Sequence, residues 1–181
     1  RSAVTPIHLA GVGDGAVPGG LASGIERIFR APCRVVNARV DCSAAFDAGR
    51  GQYYSTEILR RLQPLASGGA RVLGVTGLDL FVPVLTFVFG EAQLEGRCAL
   101  VSFHRLKEEF YGMPPRPQLL AERLLKEAVH ELGHTFGLRH CFDWQCVMAS
   151  SHAVELLDVK GAEFCRRCAR VVYGEVARAA R

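Results

Sequence analysis

Two histidines four residues apart, with a glutamate directly after the first, could bind a metal ion in this 181-residue chain. His130 and His134 belong to the string HELGHTFGLRH. In a helix, a spacing of four residues returns the side chain to nearly the same face, so both imidazoles can reach one metal ion. Glu131 lies about 100° further round such a helix than His130. Its carboxylate is therefore expected beside the ion, where it can take a proton from a bound water molecule.

Two further residues at fixed distances make a chance occurrence of this pattern negligible. Gly137 can adopt a positive φ at the end of the helix, so the chain can turn sharply there. We expect the turn to bring His140 back towards the ion as a third ligand. Zinc held by three histidines keeps a fourth position for water and lowers the pKa of that water from about 16 to about 7. The motif therefore predicts a catalytic zinc ion with Glu131 as general base.

Four of the seven cysteines follow this motif in two close pairs. The pairs are Cys141 with Cys146, and Cys165 with Cys168. If Cys141 bound the same ion as His140, its thiolate would occupy the position that water needs. Glu131 would then have no bound water from which to take a proton. Four thiolates at such spacings are typical of a tetrahedral structural site, so we predict a second zinc ion here. A pair of disulfides is the alternative, and a reducing compartment disfavours it.

A long amphipathic segment carries the first two histidines. Apolar residues recur along it at three- and four-residue intervals, and Pro117 is suited to the first position of a helix. We therefore expect the active-site helix to span residues 117–137. The periodicity then ends, which predicts an irregular segment over residues 138–160 and a last helix after Cys165.

Strand-like and helix-like segments alternate before this helix. In chain order the predicted elements are a strand near residues 4–9, a helix with Leu21, Ile25, Ile28 and Phe29 on one face, a strand over CRVVNARVDC, a helix over STEILRRLQPLA with Ser55 or Thr56 as its cap, a strand over RVLGVTGLDLF, and two strands over TFVFGEAQ and CALVSFHRL. This order predicts an α+β fold in which helices pack on a mixed sheet.

Length, charge and hydropathy limit the classes of protein to consider. A chain of this length suits one compact unit, so we expect a single catalytic domain over residues 1–181. The net charge of +4 is scattered rather than gathered in a dense basic stripe, so we do not expect nucleic-acid binding. All apolar runs are shorter than the roughly 18 residues of a membrane helix, and no export signal opens the chain. These patterns predict a cytoplasmic monomer that does not enter a membrane.

The string HELGHTFGLRH followed by Met148 resembles the metzincin clan of zinc peptidases, whose third histidine precedes a methionine-containing turn beneath the metal. The cysteines in HCFDWQCVM and FCRRC are arranged as in the archaemetzincin family, and LGVTGLDLF and FVFGEA are similar to that family's sheet. The resemblance implies a metzincin-like fold, with a twisted mixed sheet, two large helices and a small, irregular, zinc-stapled C-terminal lobe. We accordingly expect an N-terminal subdomain over residues 1–137 and a C-terminal subdomain over residues 138–181.

The resemblance also implies roles for individual residues. It implies that His130, His134 and His140 bind the catalytic zinc, that Glu131 is the general base, and that Met148 forms a hydrophobic floor under the histidines. Metzincin clefts bind substrate in an extended form along an edge strand, for which TFVFGEAQ is the candidate.

The predicted function is zinc-dependent hydrolysis of peptide bonds in a peptide or protein substrate. The alternative is a catalytically weak, zinc-stabilised module that binds a peptide or protein. A zinc-dependent ribonuclease with a similar three-histidine string fits less well, because that family lacks a glutamate after the first histidine.

Overall fold

The chain, described here by a computed structural model over residues 4–13 and 15–179, folds as an α+β protein, as predicted. In chain order its strands and helices are β1 (Ile7–Val12), α1 (Leu21–Phe29), β2 (Cys33–Val40), β3 (Phe46–Asp47), β4 (Gln52–Tyr54), α2 (Ser55–Leu62), β5 (Arg71–Thr76), β6 (Leu80–Phe81), β7 (Gly90–Ala92), β8 (Cys98–Ser102), α3 (Pro117–Thr135), α4 (Val154–Val159) and α5 (Arg166–Ala179). The predicted active-site helix is α3, which ends two residues earlier than expected.

A five-stranded mixed sheet supports the rest of the molecule. Its strand order is β2, β1, β5, β8, β7. The first four strands run parallel, and β7 pairs antiparallel with β8, with Glu91 opposite Leu100. A smaller sheet contains β3, β4 and β6. The segment TFVFGEAQ therefore supplies a strand at the edge of the main sheet.

Helices pack on both faces of this sheet and divide the core in two. α1, α3 and the C-terminal residues share one apolar cluster, and α2 contributes to the other. Every residue of the central strand β5 is buried, as expected for a strand covered on both faces. The predicted inner face of α1 is confirmed: its buried residues are Leu21, Ile25, Ile28 and Phe29. Among the described residues, no helix combines the length and apolar character needed to cross a bilayer.

Three local expectations differ from the structure. The segment RVLGVTGLDLF, predicted as one strand, contains β5 and β6, which belong to different sheets. The segment 138–160 is not wholly irregular, because α4 forms within it. α4 has only six residues and buries only Val154 and Leu157, which is too short a pattern to predict a helix. Neither predicted cap residue caps α2: the hydroxyls of Ser55 and Thr56 donate instead to the carboxylate of Glu91 on β7. That partner is more than 30 residues away in sequence, so local patterns could not reveal it.

Candidate metal centre

The three histidines of the motif converge on one point. Nε2 of His130 and Nε2 of His134 are 3.2 Å apart. Two nitrogen ligands of a tetrahedral zinc ion are separated by about 3.3 Å, so this pair fits the metal. The ring of His140 is centred 5.2 Å from that of His130 and 5.3 Å from that of His134. The three residues bring one nitrogen each within 4.8 Å of one another.

Backbone carbonyls orient the two helical histidines. Nδ1 of His130 donates to the carbonyl of Val147 at 2.8 Å, and Nδ1 of His134 donates to that of Leu138 at 2.7 Å. A carbonyl can only accept, so the proton must be on Nδ1, and Nε2 keeps its lone pair for a metal. Burial lowers the pKa of both rings and so favours the neutral form that binds metal.

The end of α3 turns at Gly137, as the sequence predicts. Gly137 has a φ of 84°, which favours glycine. The N–H of Leu138 donates to the carbonyl of Gly133, and the N–H of Gly137 donates to that of His134, which together form a Schellman motif. The carbonyl of Leu138 is the one that orients His134, so one turn both reverses the chain and fixes a ligand.

Glu131 is buried in a space that depends on a glycine in the edge strand. A Cβ at Gly90 would lie 2.6 Å from Cγ of Glu131, so only glycine leaves room for the carboxylate. Burial raises the pKa of Glu131 well above its ordinary value, and the nearby Glu127 raises it further. Such a carboxyl group takes up a proton readily. Gly90 was not predicted, and its only signal in the sequence is a glycine inside a strand-like segment.

Met148 lies completely buried against the active-site helix. A Cβ at Gly133 would collide with the sulfur of Met148, so this glycine makes room for it. The carbonyl of Met148 accepts the N–H of Cys141 at 2.9 Å, which ties this turn to the residue after His140. Gly133, like Gly90, therefore shapes the site through a close contact that the sequence did not predict.

The four C-terminal cysteines form a separate cluster. Their sulfur atoms all lie within 4.8 Å of one another, and Sγ of Cys141 is 3.8 Å from Sγ of Cys165. Sulfur ligands of a tetrahedral zinc ion are about 3.8 Å apart, so the cluster fits a second zinc. No disulfide forms among the described residues. His140 and Cys141, although adjacent, therefore belong to different side-chain clusters.

A cleft passes the histidine cluster along the edge strand. On one side it is lined by residues that include Glu91, Leu94 and Arg139. On the other side it is lined by the segment 85–90 and by residues 150–152. Space is therefore available on both sides of the candidate metal.

Comparison with known proteins places the chain in a family. The model of peptidase family M54 matches residues 28–173. The chain belongs to this family. An archaemetzincin from Methanocaldococcus jannaschii is 46% identical over 124 residues, which are 68% of this chain and 68% of that protein. The prediction of an archaemetzincin-type zinc metallopeptidase is thereby confirmed.

Solved structures of similar proteins confirm the fold. The crystal structure of archaemetzincin from Methanopyrus kandleri has a TM-score of 0.81 at 38% identity and covers 98% of this chain and 97% of its own. A zinc-dependent peptidase from Methanocorpusculum labreanum has a TM-score of 0.82 at 30% identity, with coverage of 92% and 99%.

Proposed function

We propose that this M54 peptidase hydrolyses peptide bonds at a zinc ion bound by His130, His134 and His140. The observation that carries the proposal is the convergence of three neutral imidazoles beside the buried carboxyl group of Glu131. A second zinc at the four cysteines would staple residues 138–181 to the subdomain of residues 1–137 within one catalytic domain. Monomeric state and cytoplasmic location stay predictions from the sequence.

The histidines, Glu131 and Met148 have different roles in the proposed hydrolysis. Zinc held by the histidines would supply a Lewis acid that polarises the peptide carbonyl and acidifies a water molecule. Glu131 takes the proton of the attacking water and passes it to the nitrogen of the leaving amine. Its burial favours the first transfer, because a buried carboxylate gains more from being neutralised than an exposed one does. Met148 supports the helix that carries both groups.

The edge strand β7 is the proposed docking element for substrate. A peptide in extended form can add to a sheet edge through main-chain hydrogen bonds. The antiparallel arrangement is the more stable one, so we propose that substrate runs antiparallel to β7. The open cleft on both sides of the histidines supports a substrate with residues on both sides of the cleaved bond.

The first test compares zinc-loaded protein with its Glu131→Ala variant on a diverse peptide library, with products identified by mass spectrometry. Loss of the general base should lower turnover by about 100-fold or more, while the zinc content stays the same. Glu122→Ala, an exposed change on the same helix, is the matched control and should retain full activity. Equal cleavage by the Glu131→Ala variant would remove Glu131 from the mechanism. No cleavage by any of the proteins at full zinc content would favour a binding module.

A further inference from the structure

The segment 85–89, just before β7, forms one wall of a cavity of about 430 Å³ beside the three histidines. Because substrate is proposed to run antiparallel to β7, its residues after the cleaved bond extend towards lower residue numbers, along this wall. The wall has little regular structure, since the chain between β6 and β7 forms turns and an isolated bridge that pairs Leu80 with Val88. Such a segment opens easily unless other groups hold it.

Gln52 of β4 holds the main chain of the wall. Its side-chain nitrogen Nε2 donates to the carbonyl of Thr86 at 2.9 Å and to Oδ2 of Asp79 at 3.0 Å. The amide group has two hydrogens, so each of these bonds can use one of them. Gln52 is 6% exposed, so water hardly competes for the bonds. Gln52 therefore ties the wall to Asp79, which lies directly before β6.

Arg105 holds an aromatic side chain of the wall. Its Nε and Nη2 atoms donate to the two carboxylate oxygens of Asp79, both at 2.7 Å, which fixes the plane of the guanidinium group. Cζ of Arg105 lies 4.3 Å from the centre of the Phe87 ring. That ring packs edge-on against the ring of Phe89, with 5.2 Å between the centres, and Phe89 is buried. Phe87 is therefore held between a fixed cation and the apolar core.

Gln52, Asp79 and Arg105 form a network that holds the wall from outside the cavity. Among the described residues that line the cavity, none of these three is present. An effect of the network on a ligand in the cavity must therefore pass through Thr86 and Phe87.

We infer that Gln52 and Arg105, joined by Asp79, are positioning residues that fix the segment 85–89 where it contacts the substrate after the cleaved bond. The inference rests on the proposed function, since it requires substrate paired with β7. A wall that is ordered before binding does not have to be ordered by the ligand, so no binding energy is lost in ordering it. Loosening the network should therefore weaken ligands that reach the wall, and those alone.

The test compares two hydroxamates that bind zinc through the same group but differ in length. Acetohydroxamate reaches only the metal. The longer compound carries a leucine-like side chain and an alanine amide after the hydroxamate, in the direction of the substrate residues after the cleaved bond. Calorimetry on zinc-loaded protein gives both dissociation constants. In Arg105→Met and in Gln52→Met, the longer compound should bind about 10-fold more weakly, whereas the affinity for acetohydroxamate should change less than about two-fold.

Two further variants control this comparison. Arg60→Met replaces an exposed arginine of α2 that pairs with Glu57, and it should leave both affinities unchanged. Arg105→Lys keeps a cation beside Phe87 but cannot form the paired bonds to Asp79, so it should recover part of the affinity lost in Arg105→Met. Full affinity of Arg105→Met and Gln52→Met for the longer compound would overturn the inference. Equal weakening of both compounds would also overturn it, because that result indicates a general structural defect.

Hydrogen exchange gives a readout that does not require zinc. Amides of the segment 85–89 should exchange about 10-fold faster in Arg105→Met, whereas those of α3 should keep their rates. Faster exchange combined with unchanged affinity for the longer compound would show that the ligand does not depend on this wall, and the positioning role would be wrong.

The same measurements separate this inference from the proposed function. If acetohydroxamate binds the zinc-loaded protein but the variants affect both compounds equally, the metal site stands and the positioning role falls. If neither compound binds the unmodified protein at full zinc content, the open metal site is wrong, and the inference falls with it.

Discussion

Gly133 lies inside the active-site helix, one residue before the proposed ligand His134, where an added Cβ would collide with the sulfur of Met148. Met148 directly follows Val147, whose carbonyl orients His130. A displaced Met148 would therefore move the Val147 carbonyl that holds the His130 ring, and such hydrogen-bond partners tune metal affinity. Glycine at this position costs helix stability, but it lets the Met148 turn lie close to the histidines.

We predict that Gly133→Ala destabilises the protein and weakens zinc binding at the histidines. Overpacking costs about 1–3 kcal/mol against a gain of about 1 kcal/mol in helix propensity, so the net loss of stability is up to about 2 kcal/mol. Denaturant unfolding and zinc competition would measure both effects. Gly174→Ala is the matched control, because a Cβ at this position in α5 meets no atom within 4 Å. The control should leave stability equal or raise it; a Gly133→Ala protein as stable as this control would refute the packing argument.

At the scale of single residues, the sequence predicted what depends on local spacing. His130 and His134 share a helix face, and Gly137 marks the turn that returns His140, so these positions follow from one short string. The contributions of Gly90 and Gly133 depend on contacts with Glu131 and Met148 across the fold. Such contacts have no local period, so they could be found only in three dimensions.

At the scale of elements, long amphipathic patterns were predictable and short ones were not. The start of α3 at Pro117 and the buried face of α1 followed from periodicity and proline chemistry. α4 was missed because tertiary ion pairs hold it in place. Arg123 on α3 binds Asp158 at 2.7 Å, and Glu127 binds Lys160 directly after α4.

The cysteine cluster joins the turn after α3 to the start of α5. Because Cys141 directly follows His140, a substitution in the cluster should also disturb the position of that histidine. We predict that Cys168→Ser lowers the zinc content from two ions per chain to one and reduces peptidase activity, because Cys141 then no longer anchors His140. Hydrogen exchange over residues 138–150 should rise in parallel. The matched control is Cys33→Ser, since burial raises the pKa of Cys33 to about 12 and this thiol lies outside the cluster. Full zinc content in Cys168→Ser would contradict a four-cysteine site.

At the scale of the whole molecule, two candidate metal sites of different character meet around residues 140 and 141. The histidine site lies in an open cleft, and its third member, His140, is exposed. The cysteine site has four candidate ligands, of which Cys141, Cys146 and Cys168 are buried. The first arrangement suits a metal that exchanges ligands during turnover, and the second suits a metal that only stabilises the fold.

This difference predicts that a chelator removes the two zinc ions in separate steps. The ion at the histidines should leave first, together with all peptidase activity, and the melting temperature should fall only slightly. The ion at the cysteines should leave later and take the C-terminal fold with it, because structural zinc contributes about 10–16 kcal/mol in small zinc-dependent domains. Zinc release, activity and circular dichroism, followed together, would resolve the steps. A His134→Ala protein should lack the first step and keep the second. Simultaneous loss of both ions on unfolding, or activity that persists until the second step, would contradict a catalytic role for the histidine site and a structural role for the cysteine site.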